Sequence, residues 1–225
     1  MSPADPYAVI AQVMRAHSKP EREPAAVRSY AALGDSFTAG TGCRPGERWA
    51  DRLAASLGTG APGFTYRNLA VEGASSTEVL DQLGPALQME PDLVTVVCGV
   101  NDVLFSVRPD PARYARNLAG IVRRLRSALP AVRIATATAP EQWSFLELGP
   151  RTQARLERGT ARFNAVTRTI AETHGLDLLE VADHPGLGEP ANFVSDGLHP
   201  SADGHRQAAA GFARLLGVPD RQEDA

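Results

Sequence analysis

The most constraining feature of this sequence is a short apolar run near its middle. Residues 93–98 read Leu-Val-Thr-Val-Val-Cys, a β-branched segment that is apolar on both faces of an extended chain. Strands of this kind are typical of parallel sheets, because helices cover both faces of such a sheet. The run is far shorter than the roughly 20 residues that a membrane-spanning helix needs. It therefore predicts a central strand of a parallel sheet.

The rest of the chain alternates between strand-like and helix-like segments. Further strands are predicted at residues 29–33, 64–69, 133–137 and 177–181. Helices are predicted at residues 48–57, 76–89, 111–128, 152–174 and 202–216, the last one with Ser201 as its cap. Strands that are each followed by a helix predict an α/β fold with right-handed crossovers.

The same patterns predict how the chain is divided. Residues 1–27 form an N-terminal extension, with a helix over 5–17 and a polar, proline-bounded linker after it. Residues 28–218 form one catalytic or binding domain. We expect residues 219–225 to be a disordered tail.

Composition disfavours several classes of function. Of the 23 Lys and Arg residues only Lys19 is a lysine, and it lies in the predicted linker. A Walker-type phosphate loop and a Schiff-base enzyme both need a lysine inside the fold, so neither is expected. The net charge of −3 gives no indication of nucleic-acid binding.

The sequence carries no recognisable signal for export. Its N-terminus lacks the charged and then apolar pattern of a signal peptide. Cys43 and Cys98 have no metal-ligand spacing and no disulfide framework. We therefore expect a cytoplasmic protein without a transmembrane segment.

Glycines and polar residues follow four of the predicted strands. In a doubly wound sheet, ligands bind beyond the carboxyl ends of the strands. Ser36 follows the first strand, Gly73 the second and Asn101 the third, whereas Asp196 and His199 lie in the longer segment after the fifth. A hydroxyl, a glycine amide, a carboxamide and an Asp/His pair at one sheet edge are the groups that acyl transfer requires.

These segments, in this order, resemble the sequence blocks of the SGNH superfamily of GDSL-type esterases and acylhydrolases. The blocks here hold Ser36 within Gly-Asp-Ser, Gly73, Asn101 within Gly-Val-Asn-Asp, and His199 within Asp-Gly-Leu-His, and the resemblance spans residues 30–205. It implies a flavodoxin-like three-layer α/β/α sandwich with a five-stranded parallel sheet. It also implies a serine hydrolase that acts on a small-molecule ester.

The chemistry of these residues suits nucleophilic catalysis. His199 is the expected base for the Ser36 hydroxyl, and Asp196, three residues earlier, is placed to orient its imidazole. The backbone N–H groups of Ser36 and Gly73 and the side-chain amide of Asn101 are the candidate donors of an oxyanion hole. Such a site needs no metal ion and no other cofactor.

Each residue also has a purely structural interpretation. Ser36 is placed to cap a helix, Gly73 and Asn101 suit turns, and His199 suits a helix entry. His205 is interpreted as an ordinary helix residue rather than a metal ligand. Convergence of all these groups on one sheet edge favours catalysis. An acyltransferase, a thioesterase or lysophospholipase, and a catalytically silent small-molecule binding module stay as alternatives.

An apolar loop at residues 139–150 is a candidate substrate contact. It holds Trp143, Phe145, Leu146 and Leu148 between two prolines, on the predicted active-site side of the sheet. We expect these side chains to form part of an acyl-binding wall or lid. Packing as a satellite of the core is an equal alternative. The sequence leaves the oligomeric state open.

Overall fold

The computed structural model describes residues 27–143 and 146–218. Within them, helices cover both faces of a five-stranded sheet. The helix expected over residues 5–17 and the tail expected at 219–225 lie outside the described residues.

The sheet has the topology that the sequence predicts. Its strands are β1 Ser29–Gly34, β2 Thr65–Asn68, β3 Leu93–Val97, β4 Arg133–Ala137 and β5 Asp177–Leu179. Their order is β2-β1-β3-β4-β5, and every neighbouring pair is parallel. This is the flavodoxin-like order, so the predicted fold class is confirmed. The edge strands β2 and β5 are shorter than predicted, because each has a hydrogen-bonded neighbour on one side only.

The described helices agree closely with prediction where they are long. They are α1 Ser36–Ala39, α2 Trp49–Gly58, α3 Ser76–Val79, α4 Leu83–Leu87, α5 Val100–Leu104, α6 Pro111–Ala128, α7 Pro150–His174 and α8 Ala202–Leu216. The short helices α1 and α5 follow β1 and β3, where the sequence predicted only loops. Both are shorter than the helices that periodicity detects.

The helix predicted over residues 76–89 is divided in two. A 3₁₀ turn at Leu80–Gln82 separates α3 from α4. Pro85 explains the break, because it has no backbone N–H and its ring is tolerated only in the first turn of a helix. A new helix therefore begins just before it.

Separate apolar cores on the two faces of the sheet hold the helices in place. On one face, Trp49 of α2 stacks on Phe212 of α8 with ring centroids 4.5 Å apart, in the same core as Tyr30 of β1. On the other face, α3, α4, α6 and α7 pack over Leu33 of β1 and Val96 of β3. Because successive strand residues point to opposite faces and both faces are covered, the central strands β1 and β3 are apolar at most of their buried positions.

Gly34, the last residue of β1, determines how the chain leaves the sheet. Its φ is 154°, and a Cβ placed on it would lie 2.3 Å from the carbonyl oxygen of Val97 on β3. The buried Gln82 side chain bonds both backbone groups of Gly34: Oε1 accepts from its N–H and Nε2 donates to its carbonyl oxygen, each at 2.8 Å. The turn into Ser36 is thereby held tightly against the end of β3.

Replacing Gly34 by alanine should lower the free energy of unfolding by about 3 kcal/mol or more, because the methyl group clashes with Val97 and the positive φ disfavours alanine. Urea unfolding followed by circular dichroism measures this change. Gly120→Ala is the matched control, since a Cβ on Gly120 within α6 meets no described atom within 4 Å. That variant should gain about 0.5–1 kcal/mol. Equal stabilities of the two variants would contradict this role of Gly34.

Candidate active site

Ser36 is the first residue of α1, two residues beyond the end of β1. Asp35, between them, is the N-cap residue, and its Oδ1 accepts a hydrogen bond from the Phe37 N–H at 3.1 Å. The half-buried Ser36 hydroxyl takes no part in this cap. The interpretation of Ser36 as a capping residue is therefore wrong, and its hydroxyl is left for another use.

A cluster of aromatic rings connects α1 with α2 and α8. The Phe37 ring stacks on Trp49 and on His205, each with centroids 5.9 Å apart, and the Trp49 indole N–H donates to the Phe37 carbonyl oxygen at 3.1 Å. His205 is fully buried, and its Nδ1 accepts from the Trp49 backbone N–H at 3.3 Å. Burial lowers the pKa of His205 to about 4, so the ring is neutral near pH 7. A residue taken from the sequence as an ordinary helix residue thus joins α8 to the segment that carries Ser36.

His199 and Asp196 form a close pair in the loop before α8. Asp196 Oδ2 lies 2.7 Å from His199 Nδ1, and Asp196 Oδ1 accepts from the backbone N–H groups of Leu198 and His199 at 2.8 and 2.9 Å. Partial burial raises the pKa of Asp196, but the hydrogen bonds from His199 and Leu198 outweigh it and bring the pKa below its ordinary value. The ionised carboxylate therefore holds the imidazole with Nδ1 toward it.

The loop that carries His199 packs against the segment that follows α1. Cys43 Sγ lies 3.8 Å from the carbonyl oxygen of Pro200. Burial raises the Asp35 pKa, and the charge of a protonated His199 opposes this shift. In the described part of the chain no hydrogen bond joins the Ser36 hydroxyl to His199. Such bonds are often long in free enzymes and shorten when substrate binds.

The loops after β2 and β3 are joined through Asn101. This side chain is buried, and its Nδ2 donates to the carbonyl oxygen of Ala74 at 3.0 Å. That bond uses one amide hydrogen and leaves the second for a ligand. The neighbouring Gly73 has a φ of 76° and no described atom within 4 Å of a Cβ placed on it. The space beside Gly73 is therefore open to a ligand.

Asp102 fixes the distance between these two loops. Its Oδ2 accepts from the Ser76 N–H and its Oδ1 from the Ser76 hydroxyl, both at 2.7 Å. Asn117 of α6 donates to the same hydroxyl at 3.0 Å. The start of α3, just beyond Gly73, is thus tied to α5, which carries Asn101.

The apolar loop at residues 139–150 packs at least partly into the core. Trp143 is 6% exposed and belongs to the core beneath α6 and α7. Leu146 and Leu148 are half-buried against the same core. Phe145 lies outside the described residues. The position of Trp143 agrees with the satellite-core alternative, and contact between this loop and substrate stays a prediction.

Exposed apolar side chains lie near the predicted oxyanion donors. Val71 precedes Gly73 by two residues, and Phe105 and Val107 follow α5 with 79% and 86% of their surface exposed. The sequence pattern gives no indication of their exposure. An apolar residue in a loop looks the same in sequence whether it is buried or exposed.

A polar groove lies between the segment after α1 and the loop after β2. Residues 39–43 and Arg48 line one wall, and Asn68, Ala70 and Glu72 line the other. Its volume is about 430 Å³. That volume is in the range of sites for small molecules.

Metal-binding and membrane-spanning features are lacking in the part of the chain that the structure describes. No group of three or more His, Cys, Asp or Glu side chains there is arranged to hold a metal ion. None of the helices in the same residues is long and apolar enough to cross a bilayer. Cys43 and Cys98 are free thiols.

A flavodoxin-like sheet with these groups at its carboxyl edge defines a class of protein, the SGNH hydrolases. The chain belongs to the GDSL-like lipase/acylhydrolase family, whose sequence model matches residues 32–207. The resemblance noted in the sequence is thus confirmed, and the protein is a hydrolase that acts on ester bonds. Comparison with the sequences of curated proteins gave no match.

Several solved structures share this fold. An acetylxylan esterase from Geobacillus stearothermophilus has a TM-score of 0.69 at 20% identity, with 88% of this chain and 98% of that chain covered. A lipase/acylhydrolase from Enterococcus faecalis has a TM-score of 0.68 at 21% identity, with coverage of 87% and 99%. The psychrotrophic esterase EstA from Pseudoalteromonas sp. has a TM-score of 0.67 at 20% identity, with coverage of 84% and 97%. At these identities the likeness shows a common fold.

Asp35 should make stability depend on pH. Burial raises the pKa of Asp35 to about 7, although the hydrogen bond from the Phe37 N–H opposes the shift. In the unfolded chain an aspartate loses its proton near pH 4, at about its reference pKa. Between these values the folded state keeps a proton that the unfolded state has lost, so this contribution to stability is full below about pH 4 and is lost as the pH rises through about 7. Asp35→Asn should therefore gain stability relative to the wild type over this range.

Urea unfolding at several pH values between about 4 and 8 measures the difference. Asp110→Asn is the matched control: Asp110 caps α6, and hydrogen bonds from the Arg113 and Ala112 N–H groups lower its pKa. Because Asp110 is ionised in both the folded and the unfolded state above about pH 4, the difference between that variant and the wild type should stay constant over this range. A difference between Asp35→Asn and wild type that does not change with pH would refute the prediction.

Proposed function

We propose that this chain hydrolyses a carboxylic ester through an intermediate in which the acyl group is bound to Ser36. The observation that carries the proposal is the 2.7 Å contact between Asp196 Oδ2 and His199 Nδ1, in a loop packed against the segment that follows Ser36. A carboxylate this close orients an imidazole to act as the base for a neighbouring hydroxyl. Membership of an acylhydrolase family supports the same chemistry.

The first half of the reaction transfers the acyl group to the enzyme. Because Asp196 accepts the proton on His199 Nδ1, the lone pair of the ring lies on Nε2. Nε2 removes the Ser36 proton as Oγ attacks the carbonyl carbon of the ester. The bond to the alcohol then breaks, and His199 gives its new proton to the departing alcohol oxygen. Acyl-Ser36 is left.

Fixed donors stabilise the negative charge that develops on the carbonyl oxygen. In this proposal they are the backbone N–H groups of Ser36 and Gly73 and the second amide hydrogen of Asn101. The hydrogen bond from Asn101 to Ala74 fixes the direction of that amide before substrate arrives. Loss of one such donor typically costs about 3 kcal/mol of transition-state stabilisation.

In the second half, water takes the place of the alcohol. His199 removes a proton from water, and the water oxygen attacks the acyl carbon. The bond to Ser36 Oγ breaks and His199 returns the proton to it, which releases the carboxylic acid and the free enzyme. An alcohol or amine in place of water would give acyl transfer with the same residues.

Structures with the same fold support a serine nucleophile. The Pseudoalteromonas esterase is described as inhibited by monoethylphosphonate. A serine-to-alanine variant of the Geobacillus acetylxylan esterase is described as a catalytic mutant. Ser36, at the end of β1 with a hydroxyl not used for capping, is the corresponding candidate here.

A fluorophosphonate probe should label Ser36, because it reacts with serine hydroxyls that a base activates. In-gel fluorescence and peptide mass spectrometry should show that labelling is lost in Ser36→Ala and strongly reduced in His199→Ala. Ser127→Ala, at an exposed position on α6, is the matched control and should label like the wild type. If the intact protein fails to label under conditions that label a control esterase, a catalytically silent binding module is the better description.

Asp196→Asn should lower kcat at least about tenfold while KM and the melting temperature change little. Asparagine presents an amide N–H to His199 Nδ1 and so favours the wrong tautomer of the ring. Ester hydrolysis in a pH-stat and a thermal melt measure the two effects. Asp203→Asn, which alters an exposed carboxylate 3.3 Å from Arg206, is the matched control and should keep the wild-type kcat. Wild-type turnover in Asp196→Asn would remove Asp196 from the proposed triad.

A further inference from the structure

The walls of the polar groove are held at a fixed separation. Asn68 spans them, since its Nδ2 donates to the Thr38 carbonyl oxygen at 2.7 Å and its Oδ1 accepts from the Ala70 N–H at 3.1 Å. Beside this link, the Arg48 side chain packs on Gly40, where a Cβ would lie 2.3 Å from Arg48 Cγ. The groove is therefore built into the fold.

The groove adjoins the proposed nucleophile and one oxyanion donor. On one wall, the N–H groups of Gly40 and Thr41 both donate to the Ser36 carbonyl oxygen, at 2.8 and 3.1 Å. On the other wall, Glu72 immediately precedes Gly73. The walls of the groove are thus continuous with the segments that carry Ser36 and Gly73.

The groove also lies on the same side of the proposed active site as the loop that carries His199. Cys43 in its wall contacts Pro200, the residue after His199, at 3.8 Å. A Cβ placed on Gly42 in the same wall would lie 3.3 Å from Val194 of the His199 loop. In the proposed reaction His199 protonates the departing alcohol oxygen, so the alcohol must lie on this side.

The groove is lined by polar groups, and none of its described lining residues is a large apolar side chain. Arg48 Nε is buried without a hydrogen-bond partner among the described residues, and the Asp51 carboxylate is 3.9 Å away. Arg48 and Glu72 lie on opposite walls of the groove and carry opposite charges. The groove therefore favours neither an anionic nor a cationic ligand. A hydroxyl group both donates and accepts, so a ligand with several hydroxyls suits a groove that is lined by Arg48, Glu72 and Thr41.

The geometry points to a substrate class: the polar groove binds the alcohol portion of the ester, and this alcohol is a neutral polyol of the sugar or glycerol type. The inference rests on the proposed reaction at Ser36. Water and the polyol ester are consumed, and the carboxylic acid and the free polyol are released.

Acetyl esters that differ only in the alcohol test this assignment, because the acetyl-Ser36 intermediate is common to all of them. The probes are monoacetylglucose, monoacetylglycerol and butyl acetate. We expect kcat/KM for at least one polyol ester to exceed that for butyl acetate about tenfold or more, since polar groups left unpaired by an alkyl chain weaken binding. The comparison of the first two probes distinguishes a sugar from glycerol. A kcat/KM for butyl acetate that equals or exceeds both overturns the assignment.

Substitutions of groove residues also test whether the groove binds the alcohol. The measured quantity is the ratio of kcat/KM for the better polyol ester to kcat/KM for butyl acetate. The ratio should fall about tenfold in Glu72→Leu and about threefold in Thr41→Val, which keeps the shape of the side chain and loses the hydroxyl. Glu172→Leu, at an exposed position on α7, is the matched control and should leave the ratio unchanged. An unchanged ratio in Glu72→Leu also overturns the assignment.

Fluorophosphonate labelling of the same samples distinguishes a failure of the groove assignment from a failure of the proposed reaction at Ser36. A protein that labels at Ser36 and hydrolyses nitrophenyl acetate, yet shows no preference for polyol esters, contradicts the groove assignment alone. A folded protein that neither labels nor cleaves any ester contradicts the proposed reaction as well.

Discussion

The pairing of β1 with β3 at the centre of the sheet is the contact on which the rest of the molecule depends. Strand order reverses here, so the connections that leave these strands run in opposite directions and open a crevice at the carboxyl edge. Gly34 pairs with Val97 at a distance that leaves no room for a Cβ. Because Ser36 and Asn101 follow these strands by only a few residues, this close contact brings both to the crevice.

Burial distinguishes the carboxylates around the crevice. Asp35 is buried beside Ser36, and burial raises its pKa to about 7. The Asp196 side chain is 47% exposed, and its hydrogen bonds lower its pKa. Of these two carboxylates, the one whose charged form is favoured is therefore the one in contact with His199 Nδ1. Asp35 serves the helix cap, where a neutral acid still accepts a hydrogen bond.

Local pattern accounts for the features that were predicted correctly. The central strands and the long helices α6 and α7 carry strong periodicity, and their bounds differ little from those predicted. The short helices α1 and α5 were missed because each is too short to produce a periodic signal. The break before Pro85 was missed because apolar residues continue on both sides of it, although a proline inside a helical pattern is itself a signal for a helix boundary. The position of Trp143 was left open for a different reason: apolar bulk in a loop indicates burial without saying whether the core or a ligand covers it.

The order of strands and polar residues along the chain predicts that Ser36, Gly73, Asn101 and the Asp196 and His199 pair lie at one edge of the sheet, because parallel strands all end at the same edge. The polar groove could not be foreseen in this way. Its walls are joined by contacts between segments distant in sequence, such as Asn68 with Thr38 and Cys43 with Pro200. Spacing along the chain does not encode which distant segments touch or how deeply a group is buried, and packing in three dimensions sets both.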